Sequence, residues 1–160
     1  MEKFNIELTI KGECNGYPGP AGWGSKMEIK DRNYAKEYSG YSDRTSKSRA
    51  CLNALIETLS HVTLPSFIRV VTDSNAICTA IARLDEAHDN GWKKKNGGTW
   101  ANADLLEKLY NLKEGAKCKD EKGNTIGKHT LAFRFDDKGE GESCKRCDQL
   151  AKEQLAAHTY

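Results

Sequence analysis

Three groups of residues have types and spacings that could do chemistry. Cys144 and Cys147 form a C-x-x-C, a spacing used for zinc and for thiol redox work. Zinc needs two more ligands, and His158 falls about three turns further along the same predicted helix, so no metal site is assigned there. His61, His88, His129 and His158 have no partner in sequence and are expected to face solvent. The second group is basic and aromatic: Lys47, Arg49 and the run Lys93-Lys94-Lys95, with Trp92 and Trp100 alongside. Lysines and arginines neutralise phosphates, and indole rings stack on bases, so this group is a candidate nucleic-acid surface. The blander reading is a solvated basic loop anchored by its tryptophans. The third group is glycine-rich, Gly12-Glu13-Cys14-Asn15-Gly16-Tyr17-Pro18-Gly19-Pro20-Ala21-Gly22-Trp23-Gly24, which predicts a tight reversal at the rim of a site.

These groups need elements to position them. Phe4, Ile6, Leu8 and Ile10 alternate with polar residues, which predicts a strand over 4–10 that the glycine turn ends. Further strands are predicted over 23–30 and 34–42, with Asp31-Arg32-Asn33 as the turn between them. Leu52, Leu55, Ile56 and Leu59 recur at helical spacing over 46–61, with Ser46 as N-cap. A β-branched run over 67–72 reads as a central strand. Asp73-Ser74-Asn75 then caps a helix carrying Ile77, Ile81 and Leu84. A helix from about Ala101 carries Leu105, Leu106, Leu109 and Leu112, and the polar stretch 114–124 reads as a solvent loop or mobile hairpin. A fifth strand covers 130–135, and a last helix from Ser143 turns Cys147, Leu150, Ala151 and Leu155 inward.

The order predicts an α/β domain: a mixed five-stranded sheet, three antiparallel strands and then alternating parallel units, with helices on both faces. One domain over residues 1–160 fits the length. A net charge of +2 names no partner by itself. There is no membrane-spanning run and no signal-peptide pattern, so the six cysteines are read as reduced thiols and the expected compartment is cytoplasmic.

The glycine-rich stretch resembles type 1 ribonuclease H, which has the form T-D-G-S-C-x-G-N-P-G-P-G-G-W-G; Gly12, Cys14, Gly16, Pro18, Gly19, Pro20, Gly22, Trp23 and Gly24 match it. Val70-Val71-Thr72-Asp73-Ser74 is similar to the family's central strand and its catalytic aspartate. Arg146-Cys147-Asp148-Gln149-Leu150-Ala151 is similar to its last-helix signature R-C-D-x-L-A, and Gly91-Trp92-Lys93-Lys94 to its basic protrusion. The resemblance implies the ribonuclease H fold and hydrolysis of the RNA strand of an RNA/DNA hybrid by two Mg²⁺ ions on four carboxylates. Two of the four are kept, Asp73 and Asp148. Lys11 stands at the first-strand aspartate and Cys51 at the first-helix glutamate, and the place of the loop histidine falls on Glu140 or Lys138.

An ammonium beside two carboxylates can stand in for a cation, whereas a thiol is a poor Mg²⁺ ligand. The leading expectation is therefore a member with a degenerate site and no cofactor, acting by binding nucleic acid (a hybrid or duplex) or a protein. The binding residues would be Lys47, Arg49, Asn75, Trp92, Lys93, Lys94, Lys95 and Trp100. Two alternatives stand beside it. One is an active, Mg²⁺-dependent hybrid endoribonuclease with a rearranged site using Glu13, although the turn is expected to end the strand before that residue. The other is a protein-interaction module or inhibitor that keeps only the fold.

Overall fold

Residues 4–158 of the chain are described by a computed structural model. Along them run β1 (Phe4–Cys14), β2 (Gly19–Ile29), β3 (Tyr34–Thr45), α1 (Lys47–Leu59), β4 (Ser66–Thr72), α2 (Asn75–Asp89), α3 (Ala103–Lys113), β5 (Thr130–Phe135) and α4 (Glu142–His158). The strands make one sheet in the order β3-β2-β1-β4-β5. The β3–β2 and β2–β1 pairs are antiparallel, and the β1–β4 and β4–β5 pairs are parallel. This is the mixed sheet that the order of sequence patterns predicts.

The alternating residues of β1 do what their period requires: Ile6, Leu8 and Ile10 are buried in one core with Leu52, Leu55 and Leu59 of α1 and Leu105, Leu106 and Leu109 of α3. Burial of such side chains, about 1.5–3 kcal/mol each, is what holds the helices to the sheet. Ser46 and Ser74 cap α1 and α2, accepting from the backbone N–H groups of Arg49 and Ile77. The α3 helix begins later than its leucine spacing implies, because Asn102 at its entrance is left-handed with φ 61°. On α4, Cys147 and Ala151 are buried as expected, while Leu150 and Leu155 are only half-buried.

The first strand also departs from expectation. It continues to Cys14, with Gly12, Glu13 and Cys14 paired to Trp23, Gly22 and Ala21. The glycines of this stretch serve packing as much as turning. A Cβ on Gly22 would collide with the carbonyl oxygen of Ala151, and one on Gly24 with that of Cys147, so the backbone of α4 rests directly on β2. Lys11 pairs with Gly24 and Glu13 with Gly22. Lys11 and Glu13 therefore share the α4 face of β1, and Gly12 points the other way, toward α1. The polar stretch after α3 is anchored rather than loose: Cys118 within it and His129 beyond it are buried, and a bridge pairs Lys119 with Thr125. No helix among the described residues is long and apolar enough to cross a membrane.

Candidate active centre and nucleic-acid interface

Parallel pairing of β1 with β4 sets Thr9 opposite Val71, so two residues further on Lys11 emerges beside Asp73. The Lys11 Nζ donates to Asp73 Oδ2 at 3.0 Å, and the Lys47 Nζ lies 3.9 Å from the same oxygen. The other carboxylate oxygen, Oδ1, is buried without a hydrogen-bond partner. All the compensation for this carboxylate therefore enters through one oxygen. Burial works against the Lys11 ammonium, but its hydrogen bond to Asp73 and the negative charge of Asp73, helped by the Cys144 and Asp148 side groups, outweigh it and raise its pKa. The ammonium is thus charged throughout the neutral range. With the folded pKa raised, the stability it contributes is complete below the unfolded lysine value and lost as pH climbs through the raised one.

Of the two aspartates that Lys11 was expected to neutralise, it bonds directly to Asp73 alone. Asp148 takes its own partner, Lys152 Nζ at 2.8 Å, one helical turn along α4. Asp148 reaches Lys11 only through its charge, with no direct bond to it. Cys51 is fully buried, with its sulfur 3.1 Å from where a Cβ on Gly12 would stand. Burial, then the charge of Asp73, pushes its thiol up to about 12, so Cys51 is a neutral group at neutral pH. Glu13 lies on the Lys11 face, against the expectation that the strand stops short of it, and its charge acts on Lys152. Among the described residues no group of three or more His, Cys, Asp or Glu side chains could hold a metal ion. A pair of Mg²⁺ ions needs several anionic oxygens around it. These residues do not fit that pair: one carboxylate is bonded to an ammonium, another is paired on the helix surface, and the intervening thiol is neutral.

The loop between β5 and α4 closes over Lys11 through a residue that the sequence did not single out. Gly139, with φ 59°, packs so closely that a Cβ on it would stand 2.8 Å from Lys11 Nζ. Lys138 and Glu140, the two candidates for the histidine's place, are exposed. Asp136 holds this loop, accepting from Gly139 N at 3.0 Å and from Cys144 Sγ at 3.1 Å. An Asp three residues before a glycine is a turn signal that could have marked it.

The C-x-x-C is divided between different partners. Cys144 bonds to Asp136 and its thiol is pushed up to about 11 by burial and that contact, while Cys147 donates to Thr9 O at 3.4 Å and is pushed up to about 12, chiefly by burial. Both stay protonated at neutral pH, unlike the thiolates that zinc or redox chemistry uses. Of the histidines expected to face solvent, His61 and His158 are exposed and His88 is half-buried, and only His129 departs clearly from that reading. His129 is buried, accepts from Ser66 N through Nδ1 and lies 3.4 Å from Cys118 Sγ through Nε2. His61, His88 and His158 stack on Tyr38, Tyr110 and Tyr41. Flat rings above neighbouring tyrosines gain contact area that no one-dimensional spacing reveals.

The basic residues converge in part. Lys93 and Thr99 form a bridge, and Lys93 Nζ donates to Thr99 Oγ1 at 3.0 Å, so the basic loop is a short hairpin with Lys93, Lys94 and Lys95 exposed. Trp100 anchors it, half-buried, with Lys94 Nζ 5.6 Å and the Arg83 guanidinium 5.1 Å from its ring centre. A hollow of about 710 Å³ opens beside it, lined by Arg83, Asn90, the three lysines and Trp100 among others. A second hollow of about 330 Å³ shares Lys94 and Trp100 and adds Ser48, Asn75 and Asn102. Asn75 thus joins the surface, and Trp92 supports it from beneath as a half-buried residue packed on the core. Arg49 is committed elsewhere: it makes a two-pronged bond to Asp104 at 3.0 and 2.9 Å and reaches Asn102 Oδ1 at 3.1 Å. Its guanidinium holds the Asp104 carboxyl at about 2, so Arg49 ties α1 to α3 and offers less charge to a phosphate than the sequence implied. Arg83 was missed, because it lies on the polar side of α2 and only the fold brings it to Trp100.

A three-stranded antiparallel meander extended by two parallel strands, with β1 and β4 delivering side chains to one centre, defines the ribonuclease H-like fold. Solved structures share it. The RNase H domain of PFV superposes with a TM-score of 0.72 at 12% identity, covering 98% of this chain and 97% of that one. The RNase H1 called LC11, isolated from compost and solved in complex with an RNA/DNA hybrid, gives 0.66 at 21%, covering 95% and 97%. The RNase H family model matches residues 6–156, and the chain belongs to that family. The ribonuclease H of Nitratidesulfovibrio vulgaris is 30% identical over 160 residues, covering 98% of this chain and 92% of the relative. That of Syntrophotalea carbinolica is 29% identical over 154 residues, covering 94% and 91%.

Proposed function

We propose that this chain binds an RNA/DNA hybrid or a related duplex without cutting it, its internal ammonium taking the place of metal. The observation that carries this reading is the 3.0 Å bond from Lys11 Nζ to Asp73 Oδ2. A cation fixed by the chain itself neutralises the carboxylate, and an ammonium cannot activate water as a Lewis acid the way Mg²⁺ does. Binding does not need that chemistry. The three exposed lysines beside Trp100, together with Lys47 and Asn75, supply phosphate contacts and a ring surface. The hybrid held by the LC11 relative supports this choice of partner.

Replacing Lys93, Lys94 and Lys95 with alanine tests the binding surface. Labelled hybrid, RNA and DNA duplexes should all bind at least about tenfold more weakly at low salt, and the slope of log affinity against log salt should flatten by about two to three. The melting temperature should not move, since the lysines are exposed. If the unaltered chain binds no nucleic acid at low salt, the protein-interaction reading replaces this one. A hybrid nuclease with a rearranged site is the second reading, favoured by one observation: Glu13 shares the Lys11 face of β1. Metal-dependent cleavage by the unaltered chain would select it.

A further inference from the structure

We propose that Tyr17 is a stacking platform for an unpaired base at the mouth of the nucleic-acid surface, so that this chain prefers hybrids or duplexes bearing a single-stranded segment. The inference rests on the nucleic-acid reading above and gives it a specificity.

Tyr17 is 97% exposed, more than any other large apolar side chain of the described residues. Its loop is nonetheless held firmly. Asn15 N donates to Pro20 O at 2.8 Å, and the Cys14 thiol lies 3.4 Å from both Gly16 O and Thr45 O. Gly19 is packed so tightly that a Cβ on it would overlap Asn15 O. An aromatic ring presented to water on a stiff loop loses little freedom on binding, which is the condition under which stacking contributes most. The loop also has a direction. Gly19 pairs with Thr45, the strand residue that precedes the Ser46 cap and Lys47, and the Lys47 ammonium faces Asp73. Tyr17 therefore stands on the same rim as Lys47, where a strand of nucleic acid following the lysines would pass.

The partner follows from the chemistry of a lone ring. In the interior of a duplex each base has both faces covered by its neighbours, and an exposed phenol finds no free π-surface there. An unpaired base offers one, of any identity, and aromatic stacking on it is sequence-tolerant. The phenol hydroxyl is not needed for this, whereas the ring is.

The test uses the full chain and one labelled hybrid in two forms, blunt and with a short single-stranded tail, followed by fluorescence anisotropy in EDTA. The unaltered chain should bind the tailed form more tightly. Tyr17→Ala should weaken binding to the tailed form about tenfold and change the blunt form less than about twofold. Tyr17→Phe should behave as the unaltered chain, and all three should melt alike because the residue makes no core contact. A Tyr17→Ala variant that binds both forms as the unaltered chain does, or that loses both equally, overturns the stacking role while leaving the binding function intact. An unaltered chain that binds neither form overturns the binding function, and this inference with it.

Discussion

Lys11→Asp is expected to destabilise the chain by about 3 kcal/mol in the absence of metal, which for a chain of this size is a fall of about 10 °C in melting temperature. The cause is the loss of one partner from a mostly buried pair. The Lys11 and Asp73 side chains are 11% and 21% exposed, and the second oxygen of Asp73 already has no donor. The introduced carboxylate would then face Asp73 with only Lys47, at 3.9 Å and half-exposed, to offset it. Millimolar Mg²⁺ should recover part of the loss, since a ligand that binds only the folded state stabilises it by mass action. Lys11→Met separates the two contributions: it should be destabilised by loss of the ammonium and should not respond to Mg²⁺. Thermal melts of the three proteins with and without the ion decide this. A Lys11→Asp variant that melts as the unaltered chain does without metal would mean that the ammonium contributes nothing to holding Asp73.

The second large effect is a gain. Lys11→Asp with Cys51→Glu should restore carboxylates at both substituted positions around Asp73, with Asp148 as the fourth. Cys51 is well placed for this, since its sulfur lies against Gly12 and feels the charge of Asp73. Four acids should bind Mg²⁺ where two do not. At a hundredfold excess of the ion over its Kd the double variant should gain about 2.7 kcal/mol of stability, against no change for the unaltered chain. Slow cleavage of the RNA strand of a hybrid should accompany it, slow because exposed Glu140 is no substitute for a histidine poised in the loop. Gly139 then becomes informative, because it packs on Lys11 and leaves a gap when the lysine is shortened. A double variant that neither gains stability with Mg²⁺ nor cuts hybrid would show that the centre has diverged beyond its two substituted acids.

Most of the fold was legible because each element carries its own local signal. The period of two over Phe4, Ile6, Leu8 and Ile10, the period of 3.6 in the helices, and serines at the two caps all reappear in place. What misled was glycine. Gly12 and Gly22 read as a turn, whereas they are strand residues kept bare, like Gly24, so that α1 and α4 can approach. A one-dimensional pattern cannot distinguish a glycine needed for its backbone angle from one needed for its missing side chain. The same limit explains Lys11. Its substitution was visible in sequence and its bond to Asp73 followed from strand pairing, but the competing Lys152 partner of Asp148 needed the helix surface to be seen. Arg49 was overestimated because Asp104, its partner, lies 55 residues away. Arg83 and Gly139 went unnoticed because each acts through a contact between elements distant in sequence, whereas Asp136 bonds to near neighbours and carries a turn signal. His129 was misjudged for a similar reason, its donor Ser66 N being 63 residues away.

The most direct measurement is a single preparation of the unaltered chain, incubated with end-labelled RNA/DNA hybrid first in EDTA and then in millimolar Mg²⁺ or Mn²⁺, with binding and strand integrity read from the same samples. The substituted centre predicts a salt-sensitive complex in EDTA and an intact RNA strand in either metal, with no rise in melting temperature on adding the ion. An RNA strand cut in a metal-dependent way, with the chain stabilised by that metal, would contradict the exchange of metal for Lys11.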